Sequence, residues 1–293
     1  MELEINGLER KQLARRAFLK AGNLAGLGAA TVMLTGANKL LGAKKAQTQG
    51  VPPDTPAEIF TAALVAEDLA TTFYYNGLIG PVIMYPALAG PGGTATDPNP
   101  TNSNPGNVNY LQAALYQEIQ HADLMRSLLN ISSPTADPYQ TFYFPAGTFD
   151  TLQAFIAMLD TLEAAFIGAY TLAAFEFAQA AAVREYEITV QNKPGLYTPD
   201  DLQYYAEVAA TILGVESEHR VLGRVIGNEN PANNYNYEST DGLTSVYNGP
   251  NSAVAALTPF LTSTNGPAYS LAAALAGAPA IYIPTIGGPP PQM

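Results

Sequence analysis

Three features of this 293-residue sequence predict an all-α protein organised as an antiparallel four-helix bundle. Four segments carry apolar residues at steps of three and four, the spacing of a single helical face. Each of those apolar seams is interrupted by one glutamate: Glu67, Glu118, Glu163 and Glu216. Two of the glutamates are followed three positions later by His121 and His219, the only histidines in the chain. Glu-x-x-His puts both side chains on one face of a helix. Two copies that use up every histidine are far more specific than one.

The first helix is expected from about 56 to 78, after a Pro-rich linker that ends in Thr55-Pro56, a capping residue followed by a first-turn proline. Its seam is Phe60, Ala63, Glu67, Ala70, Tyr74 and Gly77. Residues 80–107 are crowded with Pro, Gly, Asn and Thr and show no period, so they read as an insertion rather than a bundle turn. The second helix is expected over 108–129, through Leu111, Ala114, Glu118, His121, Met125 and Leu128. Residues 130–148 form a Pro-rich crossover whose aromatics, Phe142, Tyr143 and Phe144, are expected to line the bundle wall. The third helix should begin near Phe149 with Thr148 as its cap and run to about Tyr186, through Ile156, Leu159, Glu163, Phe166, Tyr170 and Phe177. Asp160, one turn before Glu163, reads either as a partner to the site or as a surface acid. Thr198-Pro199-Asp200-Asp201 starts the fourth helix, with acids in the first turn. It passes through Glu216 and His219 and ends at Gly227. Domain boundaries follow: a leader over 1–46, the bundle over 56–227, and an irregular C-terminal extension over 228–293. The extension is expected to pack on the bundle or to mediate a homo-oligomer contact.

The helices come as a repeat. Glu67 stands 51 residues before Glu118, and Glu163 stands 53 before Glu216. Tyr74 and Tyr170 each lie seven residues past the single glutamate, and both Glu-x-x-His motifs continue as x-x-Leu-x-Arg, giving Arg126 and Arg224. The tyrosines are candidates to bond the site residues or to carry redox equivalents, with ordinary packing as the alternative. The arginines are expected to pair with outer carboxylates, and Glu218 to be solvated.

Composition narrows the function. There is no cysteine, which excludes disulfides, zinc-thiolate sites and iron–sulfur clusters. Eight of the 13 basic residues lie in the first 45 positions; beyond them five bases face 22 acids, a net charge near −17. Such a surface repels nucleic acid and attracts cations. The basic start itself, with Arg15-Arg16 followed by Phe18-Leu19-Lys20 and an apolar run from Ala21 to Leu34, resembles a twin-arginine (Tat) export signal. Ala14 stands where such signals usually have Ser or Thr. Thr35-Gly36-Ala37 offers a cleavage site, while an uncleaved membrane anchor is the alternative. The expected location is periplasmic or cell-surface, reached through the Tat translocase.

Carboxylates in a dry seam lose several kcal/mol of hydration unless something offsets it. Four glutamates meeting in one bundle carry a charge that two divalent cations would balance, and carboxylate with imidazole suits iron, manganese or zinc. On these residues the segment 56–227 resembles the ferritin-like superfamily. The wording Val215-Glu216-Ser217-Glu218-His219-Arg220 is similar to that of exported ferritin-like proteins related to desiccation-associated proteins. The resemblance implies a ferritin-like bundle with a long crossover, and a dinuclear iron or manganese centre. Glu67 and Glu163 then come from the single-glutamate helices, and Glu118, His121, Glu216 and His219 from the Glu-x-x-His helices. It implies chemistry with O2 or peroxide, of ferroxidase or catalase/peroxidase type. A non-catalytic protein of stress protection or surface assembly is the competing reading, motivated by the long Asn/Pro/Gly/Tyr-rich tail. Iron storage in a cage is disfavoured by the added segments.

Overall fold

The computed structural model describes residues 55–84, 105–189, 191, 195–227 and 253–281. The leader over 1–46, most of the 80–107 insertion and much of the tail lie outside the described residues. The fold is all-α, consistent with the expected bundle. Among the described residues, four long helices are α1 (Pro56–Ile79), α2 (Pro105–Leu129), α3 (Leu152–Thr189) and α4 (Pro199–Ile226). Two short ones follow, α5 (Ala253–Leu257) and α6 (Leu271–Ile281), and a pair of three-residue strands, β1 (Thr141–Tyr143) and β2 (Ala268–Ser270).

Local chemistry sets the helix ends. Thr55 and Glu58 form a capping box: the Glu58 amide donates to the Thr55 hydroxyl at 3.2 Å, and the Thr55 amide donates to the Glu58 carboxylate at 2.7 Å. Thr198 and Asp201 repeat the device at the start of α4, at 3.1 and 2.8 Å. The two bonds from Thr198 hold the Asp201 carboxyl below its ordinary range. α2 stops at Asn130, which sits in the left-handed region at φ 57°, while the Ile131 amide reaches back to the Arg126 carbonyl at 2.9 Å. Proline at the first position of α2 starts that helix at Pro105, three residues before the expected Val108.

The start of α3 differs from expectation. Its cap is Thr151, whose hydroxyl accepts from the Ala154 amide at 3.1 Å, whereas the Thr148 hydroxyl closes a turn onto the Pro145 carbonyl. Phe149 precedes the helix, which begins at Leu152. It belongs to an aromatic cluster, 5.2 Å from Phe144 and 5.0 Å from Tyr269, which buries it outside the helix.

The described residues divide into two compact units, and α1, α3 and α4 each have residues in both. One unit takes in the described residues within 55–63, 162–218 and 253–259. Its core is aromatic, with Phe60 5.1 Å from Phe177 and edge-on to Tyr205 at 4.9 Å. Arg184 closes the α3–α4 turn by donating to the Tyr197 carbonyl at 3.0 Å.

The other unit takes in the described residues within 64–161, 219–227 and 260–281. Here Phe73 and Phe155 stack with ring centroids 4.5 Å apart. Gly77 allows that close fit, because a Cβ there would run into the Phe155 ring. The crossover supplies Phe142 and Phe144, both fully buried. β1 pairs antiparallel with β2, Phe142 opposite Tyr269, and the Leu271 amide donates to the Gln140 carbonyl at 3.1 Å. Gln112 on α2 donates to the Ile281 carbonyl at 3.1 Å. The described part of the tail is therefore ordered structure joined to the crossover and α2, not an irregular run. α3 is long and apolar enough to cross a membrane by composition, but 67% of its most apolar window is buried by the protein's own residues, which marks a core helix.

Candidate metal centre

Each residue of the predicted set arrives on its helix for a local reason. α1 carries Glu67 in the run Val65-Ala66-Glu67-Asp68-Leu69-Ala70, every member of which is buried. Glu118 and His121 follow one another by a turn on α2, and Glu216 and His219 do so on α4. Glu163 sits among Leu162, Ala164 and Ala165 on α3, all buried. Glu118 and Glu216 are 0% exposed and Glu163 only 1%, whereas Glu218, the neighbouring acid, is exposed.

Ligand atoms from these residues fall into two groups. Glu67, Glu118, His121 and Glu216 form one; Glu118, Glu163, Glu216 and His219 form the other. In each group the atoms all lie within 4.8 Å of one another. Together the groups contain all six residues, and they share two, Glu118 and Glu216.

Glu118 is divided between the histidines. Its Oε1 lies 2.9 Å from His219 Nδ1, and its Oε2 lies 4.0 Å from His121 Nδ1. His121 Nδ1 is also 3.3 Å from Glu67 Oε2. Both rings thus turn the same nitrogen toward carboxylate. On its other side the His219 ring presents Nε2 to Gln117 Oε1 at 2.8 Å. Tyr74 is buried with its ring edge-on to His219, centroids 5.8 Å apart. Tyr170 is likewise buried, in α3.

Ion pairs formed by two buried arginines adjoin these residues. Arg126 bonds Asp68 at 2.6 Å, Asp137 at 2.8 Å and Asp123 at 2.8 Å. Burial pushes the Asp68 carboxyl well up despite the opposing pull of Arg126, and neighbouring Asp137 adds to the push. Burial alone would lower Arg126, yet its bond to Asp137 and the charge of Asp68 leave the guanidinium net raised. Arg224 donates to Asp160 at 2.9 Å, both side chains being under one-tenth exposed. Asp160 is therefore not a surface acid, and the partners of both arginines include buried carboxylates. Asp68 and Asp137 were missed by sequence reasoning. An acid directly after a seam glutamate, inside an apolar run, was the available sign of the first; nothing local marks the second.

The fold and the cluster together define an all-α protein with a buried Glu/His set able to hold metal. The donor chemistry fits: carboxylate oxygen and imidazole nitrogen, from four glutamates and two histidines, in a setting where unbalanced carboxylates would be costly. Residues 55–187 match the ferritin-like domain family, which supports a relation of the chain to the ferritin-like superfamily. That stretch covers α1, α2 and nearly all of α3; α4, with Glu216 and His219, lies beyond it. No curated protein and no protein of solved structure gives a match.

Proposed function

We propose that this chain is an exported ferritin-like protein that holds two metal ions, iron or manganese, and uses them in redox chemistry with O2 or peroxide. The observation that carries the two-ion reading is Glu118, with one carboxylate oxygen toward each histidine. A carboxylate placed in that way serves two cations at once. Glu118 and Glu216, common to both groups, would be shared between the ions; Glu67 with His121 and Glu163 with His219 would complete one ion each. The four acids balance two divalent charges, and zinc also suits the donors. Bound iron or manganese gives up one electron per ion, so a pair supplies the two electrons that reduce O2 to peroxide or peroxide to water. The chain's part is to hold the donors in a dry core, with Tyr74 against His219 keeping solvent from that ring. Support for export comes from the twin-arginine-like start. That route carries folded proteins, which suits one loaded with metal before translocation. The resemblance of Val215-Glu216-Ser217-Glu218-His219-Arg220 to desiccation-associated proteins is the support for a role under oxidative stress.

Metal content by mass spectrometry, on protein incubated with Fe2+ or Mn2+ and then desalted, tests the assignment. Two ions per chain are expected, one in His121→Ala, and none in Glu118→Gln because both groups lose a donor. A wild-type chain that retains neither metal, nor zinc, sinks the reading. Consumption of O2 or peroxide by the loaded protein tests the redox step separately. A loaded protein that consumes neither leaves the bundle a structural metal protein.

A further inference from the structure

Four Asn-Gly pairs stand in the sequence, and two of them, Asn76-Gly77 and Asn265-Gly266, lie among the described residues. With no side chain on its second residue, such a pair lets the glycine nitrogen close onto the asparagine side-chain carbon. Structure decides which pair is able to do so. In α1 the Gly77 amide belongs to the helix ladder, and Asn76 Nδ2 donates to the Thr72 carbonyl at 2.7 Å, so the helix holds both reacting groups in place. Asn265-Gly266 lies instead in the turn before β2, where Ser263, Thr264 and Pro267 are exposed. The Gly266 amide donates to no acceptor among the described residues. Both members of this pair fasten the tail to the crossover. Asn265 Nδ2 donates to the Tyr143 carbonyl at 2.6 Å, and Gly266 packs so closely on the Phe144 carbonyl that a Cβ would collide with it. Beside them the Phe144 amide donates to the Pro267 carbonyl at 3.3 Å, and the Leu271 amide to the Gln140 carbonyl at 3.1 Å.

We infer that Asn265 is a site of spontaneous deamidation, and that the change unfastens the tail from the crossover. The Gly266 nitrogen, its proton lost to hydroxide, bonds to Asn265 Cγ; the Cγ–Nδ2 bond breaks and ammonia leaves. Water then opens the cyclic imide at one carbonyl or the other, giving aspartate or isoaspartate. On balance water enters and ammonia departs, with no oxidant and no cofactor. The departing nitrogen is the donor to Tyr143. Its replacement is a carboxylate oxygen, which only accepts, set against a carbonyl that also only accepts. Isoaspartate in addition inserts an atom into the backbone beside the tight contact at Gly266. The inference is independent of the metal centre.

The full chain, held in mildly alkaline buffer and sampled by peptide mass mapping beside a synthetic peptide spanning 262–269, tests the site. Conversion is expected at Asn265 and not at Asn76, more slowly than in the peptide because the bond to Tyr143 must break first. Asn265 intact long after the peptide has converted, or Asn76 converting as fast, overturns the inference. Hydrogen exchange reads the unfastening separately. Asn265→Asp should lose protection at the Phe144 and Leu271 amides. Asn265→Gln keeps a donor and closes its larger ring far more slowly, so it should keep that protection and arrest the mass change. Helical circular dichroism unchanged in both variants shows that the bundle is intact; should Asn265→Asp fail to fold, the converted wild-type chain supplies the same reading. Wild-type protection at both amides after conversion refutes the release of the tail.

Discussion

Arg126 and Arg224 occupy the same place in the two halves of the repeat, five residues past a histidine, yet they find their carboxylates in different places. Arg126 reaches Asp68, one residue after the seam glutamate of α1, and adds Asp137 from the crossover and Asp123 from its own helix. Arg224 reaches Asp160, three residues before the seam glutamate of α3. In the repeat Asp68 falls opposite Ala164, and Asp160 opposite Leu64. Neither half could have inherited its acid from the other's position. What both halves keep is the requirement: a guanidinium buried beside acidic seams is stable only with a carboxylate against it. The position of that carboxylate is free to drift as long as some neighbouring turn supplies one.

Breaking the comparison at the arginines should have the largest effect. Arg126→Met leaves Asp68 and Asp137 buried without their counter-ion and should cost about 3–5 kcal/mol in urea unfolding. Arg224→Met removes the guanidinium from buried Asp160 and should cost an amount within the same range. Next come the acids. Asp160→Asn weakens a charge-assisted bond and should cost about 1.5–3 kcal/mol. Asp68→Asn should cost only about 1 kcal/mol or less, because Asp137 still bonds Arg126 and burial already disfavours the Asp68 charge. An Asp68→Asn loss as large as that of Asp160→Asn would contradict the shared guanidinium. The smallest effect separates the helix starts. Asp201 is held below its ordinary value by Thr198, so its contribution is present above the ordinary aspartate pKa of 3.8 and is lost as pH falls through the lower, folded value. Melting temperature followed into acid should decline less steeply in Asp201→Ala; parallel declines would remove the cap from the account.

What could be read from the sequence was what is local. The four seams, the Glu-x-x-His spacing and the Thr-x-x-acid helix starts depend on residues within a turn or two of each other, and the helices stand close to where the period placed them. The convergence of Glu67, Glu118, His121, Glu163, Glu216 and His219 followed from a longer-range premise, that buried acids must share compensation. Three things were hidden. Asp137 lies in the crossover and meets Arg126 only through the fold. Phe149 stands before α3 and not at its start, because its burial comes from Phe144 and Tyr269 rather than from a helix face. The β1–β2 pair, three residues a side, is too short to show alternation, and its register is set by the tail.

That pair also sets a schedule for the nascent chain. The side chain of Asn265 donates to the Tyr143 carbonyl across 122 positions, and Phe260 and Tyr269 close over Phe144 from the same late segment. At a synthesis rate of about 5–20 residues per second, the crossover waits roughly 6–25 s on the ribosome for the strand and rings that cover it. Through that interval Phe144 lacks the late rings that cover it.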